Sequence, residues 1–130
     1  MISNIIKQNI KQDLFQWVKG INEDDPLPYE IKYIYFIVSF KNKDIELSYT
    51  GADVKLTFFD FGPYLPLEAE YFYSNSLKFI SKNLYNKKSN ISKQEILDFL
   101  HSCCLSLKNN IGFLMSTQIF FGERFTNINV

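Results

Sequence analysis

The run from Ile31 to Phe40 constrains the fold more than any other part of the sequence, because it is apolar on both faces of an extended chain. Successive side chains of a β-strand point to opposite faces. A strand that is apolar on both faces is typically central in its sheet and covered on both sides. One face carries Ile31, Tyr33, Tyr35 and Ile37, and the other carries Ile34, Phe36, Val38 and Phe40.

Two further alternating runs predict an antiparallel meander over Ile31–Phe61. Turn-forming residues at 41–44 separate the first run from the second. A second turn is predicted at 50–53, where Gly51 is free to take a positive φ. Three alternating runs joined by two short turns are typical of a three-stranded meander. The inward positions of the second and third runs are Ile45, Leu47, Tyr49, Val54, Leu56 and Phe58.

The first twenty residues predict an amphipathic helix. Apolar residues recur there at three- and four-residue spacing, while lysine and glutamine fill the opposite face. Gly20 fits a C-cap, and the proline-containing loop at 22–28 follows it. We expect the apolar stripe to lie across the sheet. Its members are Ile2, Ile5, Ile6, Ile10, Leu14, Trp17, Val18 and Ile21.

Two more helices are predicted in the second half of the chain. Pro66 is favoured in a first helical turn, so one helix is expected to begin there, although residues 67–73 also fit a strand. The other helix begins at Ser92, which can form a capping box with Glu95, and ends near 108–110. The buried stripe of this last helix is Ile96, Leu97, Leu100, Cys103, Cys104 and Leu107.

This order of elements predicts one α+β domain over residues 1–130. An N-terminal helix is followed by the three-stranded antiparallel meander and by two C-terminal helices packed on the sheet. Residues 111–121 fit either a strand or a helix, and their alternating apolar residues favour a late extra strand. The chain of 130 residues has the usual size of one domain, and its hydrophobic fraction of 46% can build a core.

Charge and hydropathy argue against two kinds of partner. The chain has 14 basic and 14 acidic residues, whereas proteins that bind nucleic acid normally carry a basic excess. No apolar run is long enough to span a membrane, and the N-terminus lacks the pattern of a signal peptide. We therefore expect a cytoplasmic protein that neither binds nucleic acid nor crosses a membrane.

The two cysteines are adjacent, at Cys103 and Cys104. Neighbouring side chains diverge by about 100° on a helix, which opposes the geometry of a disulfide. Both positions also fall on the apolar stripe of the last predicted helix. The sequence therefore predicts unpaired, structural thiols in a reducing compartment.

A candidate metal or catalytic site lies on one row of the last predicted helix. It consists of Asp98, His101 and Cys104. All three residue types are metal ligands, and a Cys/His pair can also act as a nucleophile and its base. The chain supplies no second cluster of ligands to complete such a site, so the structural interpretation is favoured and no metal or cofactor is expected. An enzyme or ligand-binding domain, with a site at this row or beneath the sheet, is the alternative.

Aromatic residues concentrate around a proline-containing loop at 62–66. The charges beside them are acidic, which disfavours phosphate and favours a protein partner, since aromatic residues are enriched at protein interfaces. The sequence therefore favours a small interaction module without catalysis, of the immunity, adaptor or chaperone type. Its partner is another protein or a second copy in a homodimer. The candidate interface residues, of which we expect at least two to be exposed, are Phe59, Phe61, Tyr64, Tyr71 and Tyr73.

Overall fold

The computed structural model describes residues 2–24, 28–41, 44–57, 72–79 and 91–126. These residues form an α+β fold, as the sequence predicts. The elements in chain order are helix α1 (Asn4–Asp24), strands β1 (Tyr33–Lys41), β2 (Asp44–Ala52) and β3 (Phe72–Phe79), helix α2 (Lys93–Asn110), a short 3-10 helix (Gly112–Leu114) and strand β4 (Gln118–Glu123).

The sheet is mixed, with the strand order β3-β2-β1-β4. Strand β2 pairs antiparallel with β1 and with β3, but β4 pairs parallel with the other side of β1. The prediction of a purely antiparallel meander is therefore wrong. A parallel neighbour requires a crossover connection, and α2 provides it between the sheet and β4.

The predicted third strand is not found where the sequence placed it. Strand β2 continues through the predicted turn at 50–53 as far as Ala52, and Gly51 lies inside it without a positive φ. Residues 53–57 form bends and coil, and residues 58–61 lie outside the described part of the chain. Strand β3 supplies the third strand instead, because its backbone satisfies the hydrogen-bonding groups on the outer edge of β2.

Strand β3 also contradicts the helix predicted to begin at Pro66. Residues 72–79 were expected to continue that helix, yet they pair with β2 along its whole length. Pairing with a sheet edge outweighs the weak helical pattern of this segment, as tertiary context commonly does. The described chain therefore has one C-terminal helix, α2, where two were predicted.

Both faces of β1 are buried, which confirms the prediction drawn from its apolar residues. Ile34, Phe36 and Val38 face the helices, while Tyr35 and Ile37 face the opposite side. Ile31 departs from the predicted pattern, because it precedes β1 and packs in the helix-side core.

Helix α1 continues past Gly20 to Asp24, so the predicted cap at Gly20 is wrong. Its buried stripe is largely as predicted, but Ile5 is 73% exposed. The buried members of the stripe are Ile2, Ile10, Leu14, Val18 and Ile21.

Helix α2 follows its sequence signals closely. The Ser92 hydroxyl accepts a hydrogen bond from the Glu95 amide at 3.1 Å, and the helix ends at Asn110. Five of the six predicted stripe residues are buried, and the sixth, Leu97, is half-buried. The late strand is confirmed only in part, since β4 begins at Gln118 and residues 111–117 do not form a strand.

Candidate functional site

Most of the predicted interface lies outside the described residues. Phe59, Phe61, Tyr64 and Tyr71 are outside the described residues. The backbone of Tyr73 lies in β3, opposite Gly51 of β2, but its side chain is outside the description. The proposed exposure of these aromatic side chains stays a prediction.

The row of Asp98, His101 and Cys104 does not converge on one point. Cys104 is fully buried in the core, whereas the other two side chains are exposed. A carboxylate oxygen of Asp98 accepts a hydrogen bond from the side-chain amide of Gln94 at 2.8 Å. The alternative of a catalytic or metal site at this row therefore gains no support from the geometry. Within the described ranges, no group of three or more histidine, cysteine or acidic residues could hold a metal ion.

The imidazole of His101 stacks on a neighbouring aromatic ring. Its centroid lies 4.8 Å from that of Phe121, and the two rings are nearly parallel. Phe121 belongs to β4, so this contact joins the flank of α2 to that strand. The interaction accounts for His101 as a packing residue at the edge of the sheet.

Both cysteines are free and buried, which confirms the prediction of unpaired thiols. Burial raises the pKa of Cys104 well above its ordinary value, and the neighbouring Cys103 adds to that effect. Burial also raises the pKa of Cys103, against a smaller opposing effect of Lys11, a hydrogen bond with Ser102 and the charge of Lys7. The reactive thiolate is thus disfavoured at both positions, and the thiols behave as small apolar groups.

On the sheet face opposite the helices, where a ligand cup was the other alternative, described side chains pack around Tyr35. The Tyr35 hydroxyl accepts a hydrogen bond from the Leu56 amide at 2.8 Å and donates to the Val54 carbonyl at 3.4 Å. The ring of Tyr35 stacks on Phe120, with the centroids 5.1 Å apart. These contacts hold residues 54–56 against the face of β1 that the helices do not cover.

An open groove of about 500 Å³ runs between the first turns of α1 and α2. A Glu95 carboxylate oxygen accepts a hydrogen bond from the Ile2 amide at 3.0 Å, which ties the two helix starts together. The ammonium of Lys7 lies 5.7 Å from the centre of the Phe99 ring. Asp98 and Gln94 also line the groove. The hydrogen bond between their side chains gives each of them a partner within the chain.

Five large apolar side chains are exposed among the described residues. Phe125 is 61% exposed and differs from the others in its backbone conformation. Its φ of 68° lies in the left-handed region, which non-glycine residues rarely occupy. The guanidinium of Arg124 lies 4.8 Å from the centre of its ring. The other exposed members of this group are Ile5, Tyr29, Leu105 and Met115.

The turn that holds Phe125 is tied to the sheet on both sides. The Arg124 amide donates to the Val38 carbonyl at 2.8 Å, and the Thr126 hydroxyl donates to the Glu123 carbonyl at 2.6 Å. The positive φ is therefore fixed by neighbouring hydrogen bonds. The sequence offers no glycine or asparagine at this position to signal such a turn.

Comparisons with protein-family models, with curated proteins and with solved structures each gave no match. Among the described helices, none combines the length and the apolar character needed to cross a membrane. The function is therefore argued from the residues themselves.

Proposed function

We propose that this chain is a small protein–protein interaction module that acts without catalysis, of the immunity, adaptor or chaperone type. The observation that supports it best is the exposure of Phe125 on a left-handed backbone beside Arg124. A non-glycine residue in this conformation costs about 1–2 kcal/mol. Such backbone outliers point to function when an ordinary turn residue would cost less free energy, and phenylalanine and arginine are enriched in the cores of protein interfaces.

The predicted aromatic interface extends this proposal. If the partner also covers Phe59, Phe61, Tyr64, Tyr71 and Tyr73, the contact surface includes these predicted interface residues as well as Phe125. A second copy of the chain is the simplest form of such a partner.

The test begins with capture of partners from the native host and with sedimentation of the purified chain over a wide range of concentrations. Any protein identified is then purified, and its affinity is measured for wild type, for Phe125→Gly and for Phe125→Tyr. We expect Phe125→Gly to weaken binding while raising the free energy of unfolding by about 1 kcal/mol, because glycine adopts positive φ freely. Phe125→Tyr keeps the ring and should preserve both properties.

Because Phe125→Gly is expected to weaken binding and yet stabilise the fold, the two measurements together distinguish a binding role of the ring from a structural one. A Phe125→Gly chain that is less stable would show that the ring serves the fold. The double change of Tyr64 and Tyr71 to Ser tests the predicted interface in the same assay and should weaken association without changing thermal unfolding. A chain that stays monomeric and captures no protein would refute the proposal.

A further inference from the structure

The backbone of β4 has one edge that points away from β1. The amide of Gln118 donates to Lys32, and the amide of Arg124 donates to Val38. Backbone groups alternate in direction along a strand, so the even-numbered positions from 118 to 124 face β1. The amide and carbonyl groups of Ile119, Phe121 and Glu123 therefore point outward.

Among the described residues, only the Thr126 hydroxyl bonds to these outward groups, at the Glu123 carbonyl. Within the described ranges, β4 stands at the end of the strand order and pairs only with β1. The side chains of Ile119, Phe120 and Phe121 are only half-buried, so the strand is reached by solvent. An edge of this kind is a template for a further strand.

Apolar side chains flank the edge on both faces of the sheet. On the helix side, Phe121 carries the stacked ring of His101, and Leu105, one turn further along α2, is 49% exposed. On the other side, Phe120 stacks on Tyr35 and keeps part of its surface exposed. A strand added here would cover apolar surface with its alternate side chains.

We propose that the outer edge of β4 binds an extended segment of a partner protein as an additional strand. This inference rests on the proposed function and adds the mode of binding. The segment would exchange backbone hydrogen bonds with Ile119 and Phe121 and would accept one from the Glu123 amide. Its side chains would be apolar, one alternate set contacting Phe121 and Leu105 on the helix side and the other contacting Phe120 on the opposite side.

The position of α2 selects a single extended segment over a second copy paired through its own β4. Helix α2 packs on β4, as the His101–Phe121 and Lys93–Glu123 contacts show. Neighbouring strands lie about 4.8 Å apart, whereas packed helices need about 8–10 Å between their axes. Two copies joined through β4 would bring two α2 helices too close together. A segment without a helix above it meets no such obstacle.

Amide hydrogen exchange of the free chain tests whether the edge is open. We expect the amides of Ile119, Phe121 and Glu123 to exchange at least about tenfold faster than those of Phe120 and Gly122, which face β1. Equal protection of both sets would show that another part of the chain covers the edge, and would overturn the proposal. Protection of the outward set that grows with protein concentration would overturn the choice of a single segment.

A randomised twelve-residue peptide library displayed on phage provides the probe for binding. The selected peptides are compared on two matched variants, Ile119→Pro and Ile119→Ala. Both shorten the side chain, but only proline removes the outward amide hydrogen, and this amide takes no part in the pairing with β1. We expect binding to fall about tenfold more for Ile119→Pro than for Ile119→Ala, which corresponds to one lost hydrogen bond.

Binding of N-methylated versions of the selected peptides provides a second test, which does not depend on the folding of the Ile119→Pro variant. Methyl groups on one alternate set of peptide amides should abolish binding, and methyl groups on the other set should leave it unchanged. Selection of no peptide, or equal tolerance of both sets, would overturn the inference. A natural partner that still binds Ile119→Pro but not Phe125→Gly would leave the proposed function intact and refute the β4 edge alone.

Discussion

The two faces of β1 are built in opposite ways. On the helix side, Ile34, Phe36 and Val38 enter one continuous apolar cluster with α1 and α2. On the other side, Tyr35 and Ile37 enter a small cluster with Ala52 and Leu56. The first face is covered by regular helices and the second, in the described residues, by a short irregular segment. One strand is therefore stabilised by bulk burial on one side and by directed hydrogen bonds on the other.

The difference follows from what each covering segment can do with its backbone. A helix satisfies its own backbone hydrogen bonds and can offer a purely apolar stripe. An irregular segment cannot, so its buried amides need side-chain partners. The Tyr35 hydroxyl meets that need for Leu56, whose side chain is almost fully buried beside it.

The largest effect is expected on the helix side. Phe36→Ala removes a fully buried ring that also meets the ring of Tyr49 edge-on, with the centroids 5.5 Å apart. We expect the free energy of unfolding to fall by about 3–5 kcal/mol, from lost burial and a residual cavity. Urea unfolding measures this loss. A loss below that of Tyr35→Phe would contradict the contrast between the two faces.

Gly51→Ala probes the helix side where β2 has no side chain. A Cβ atom at this position would lie 2.8 Å from Cγ2 of Ile31, closer than real Cβ contacts come. We expect a loss of about 1–3 kcal/mol from overpacking. The double variant with Ile31→Ala removes the clashing methyl, so its loss should be smaller than the sum of the two single losses. Additive losses would show that the contact does not limit this position.

Tyr35→Phe probes the opposite face without changing the shape of its ring. The ring can still stack on Phe120, but the buried Leu56 amide loses its acceptor. We expect a loss of about 1–2 kcal/mol, the cost of an unsatisfied buried donor. Tyr33→Phe, on the same strand and face, serves as the matched control and should have a smaller effect. Equal losses for the two variants would remove the special role of the Tyr35 hydroxyl.

The smallest effect concerns the buried thiols on the helix side. The pKa values of Cys103 and Cys104 are raised in the fold by burial, while an unfolded thiol titrates near pH 8.5. Their contribution to stability is therefore complete below about pH 8.5 and is lost as the pH rises through the folded values. Urea unfolding between pH 7 and 10 should show a steeper decline for wild type than for the Cys103→Ala, Cys104→Ala variant. Parallel declines would contradict this expectation.

The parts of the fold that the sequence predicted well depend on local signals. The alternating apolar residues of β1 are enough to indicate burial on both faces. The Ser92–Glu95 pair and the stripe ending at Leu107 lie within one continuous segment, so α2 could be placed closely. Each of these signals needs no knowledge of distant neighbours.

The parts that were missed depend on contacts between distant segments. Gly51 looked like a turn residue, but it lies in a strand where the Ile31 side chain comes close. Glycine suits both situations, and only the distant neighbour distinguishes them. The sequence predicted the third strand directly after the turn at 50–53, because nothing local shows that β3 occupies the outer edge of β2.

The candidate sites also differ in whether they depend on local sequence or on contacts between distant segments. The predicted burial of Cys104 is confirmed, and it could be predicted because its apolar neighbours in the helix are visible in the sequence. Phe125 and the edge of β4 could not be found, because a left-handed φ and an outward amide depend on how the chain ends its pairing with β1. The aromatic patch near Tyr64 lies outside the described residues and stays a prediction.

The parallel pairing of β1 with β4 has a consequence for biosynthesis. Strand β4 follows the other described strands in the sequence, so it leaves the ribosome after them, and β1 meanwhile presents an unpaired edge with apolar residues on both faces. Contacts between such distant segments slow folding, and exposed apolar edges favour aggregation of the nascent chain. Expression should therefore be more sensitive to the loss of residues 118–123 than the modest size of β4 would suggest.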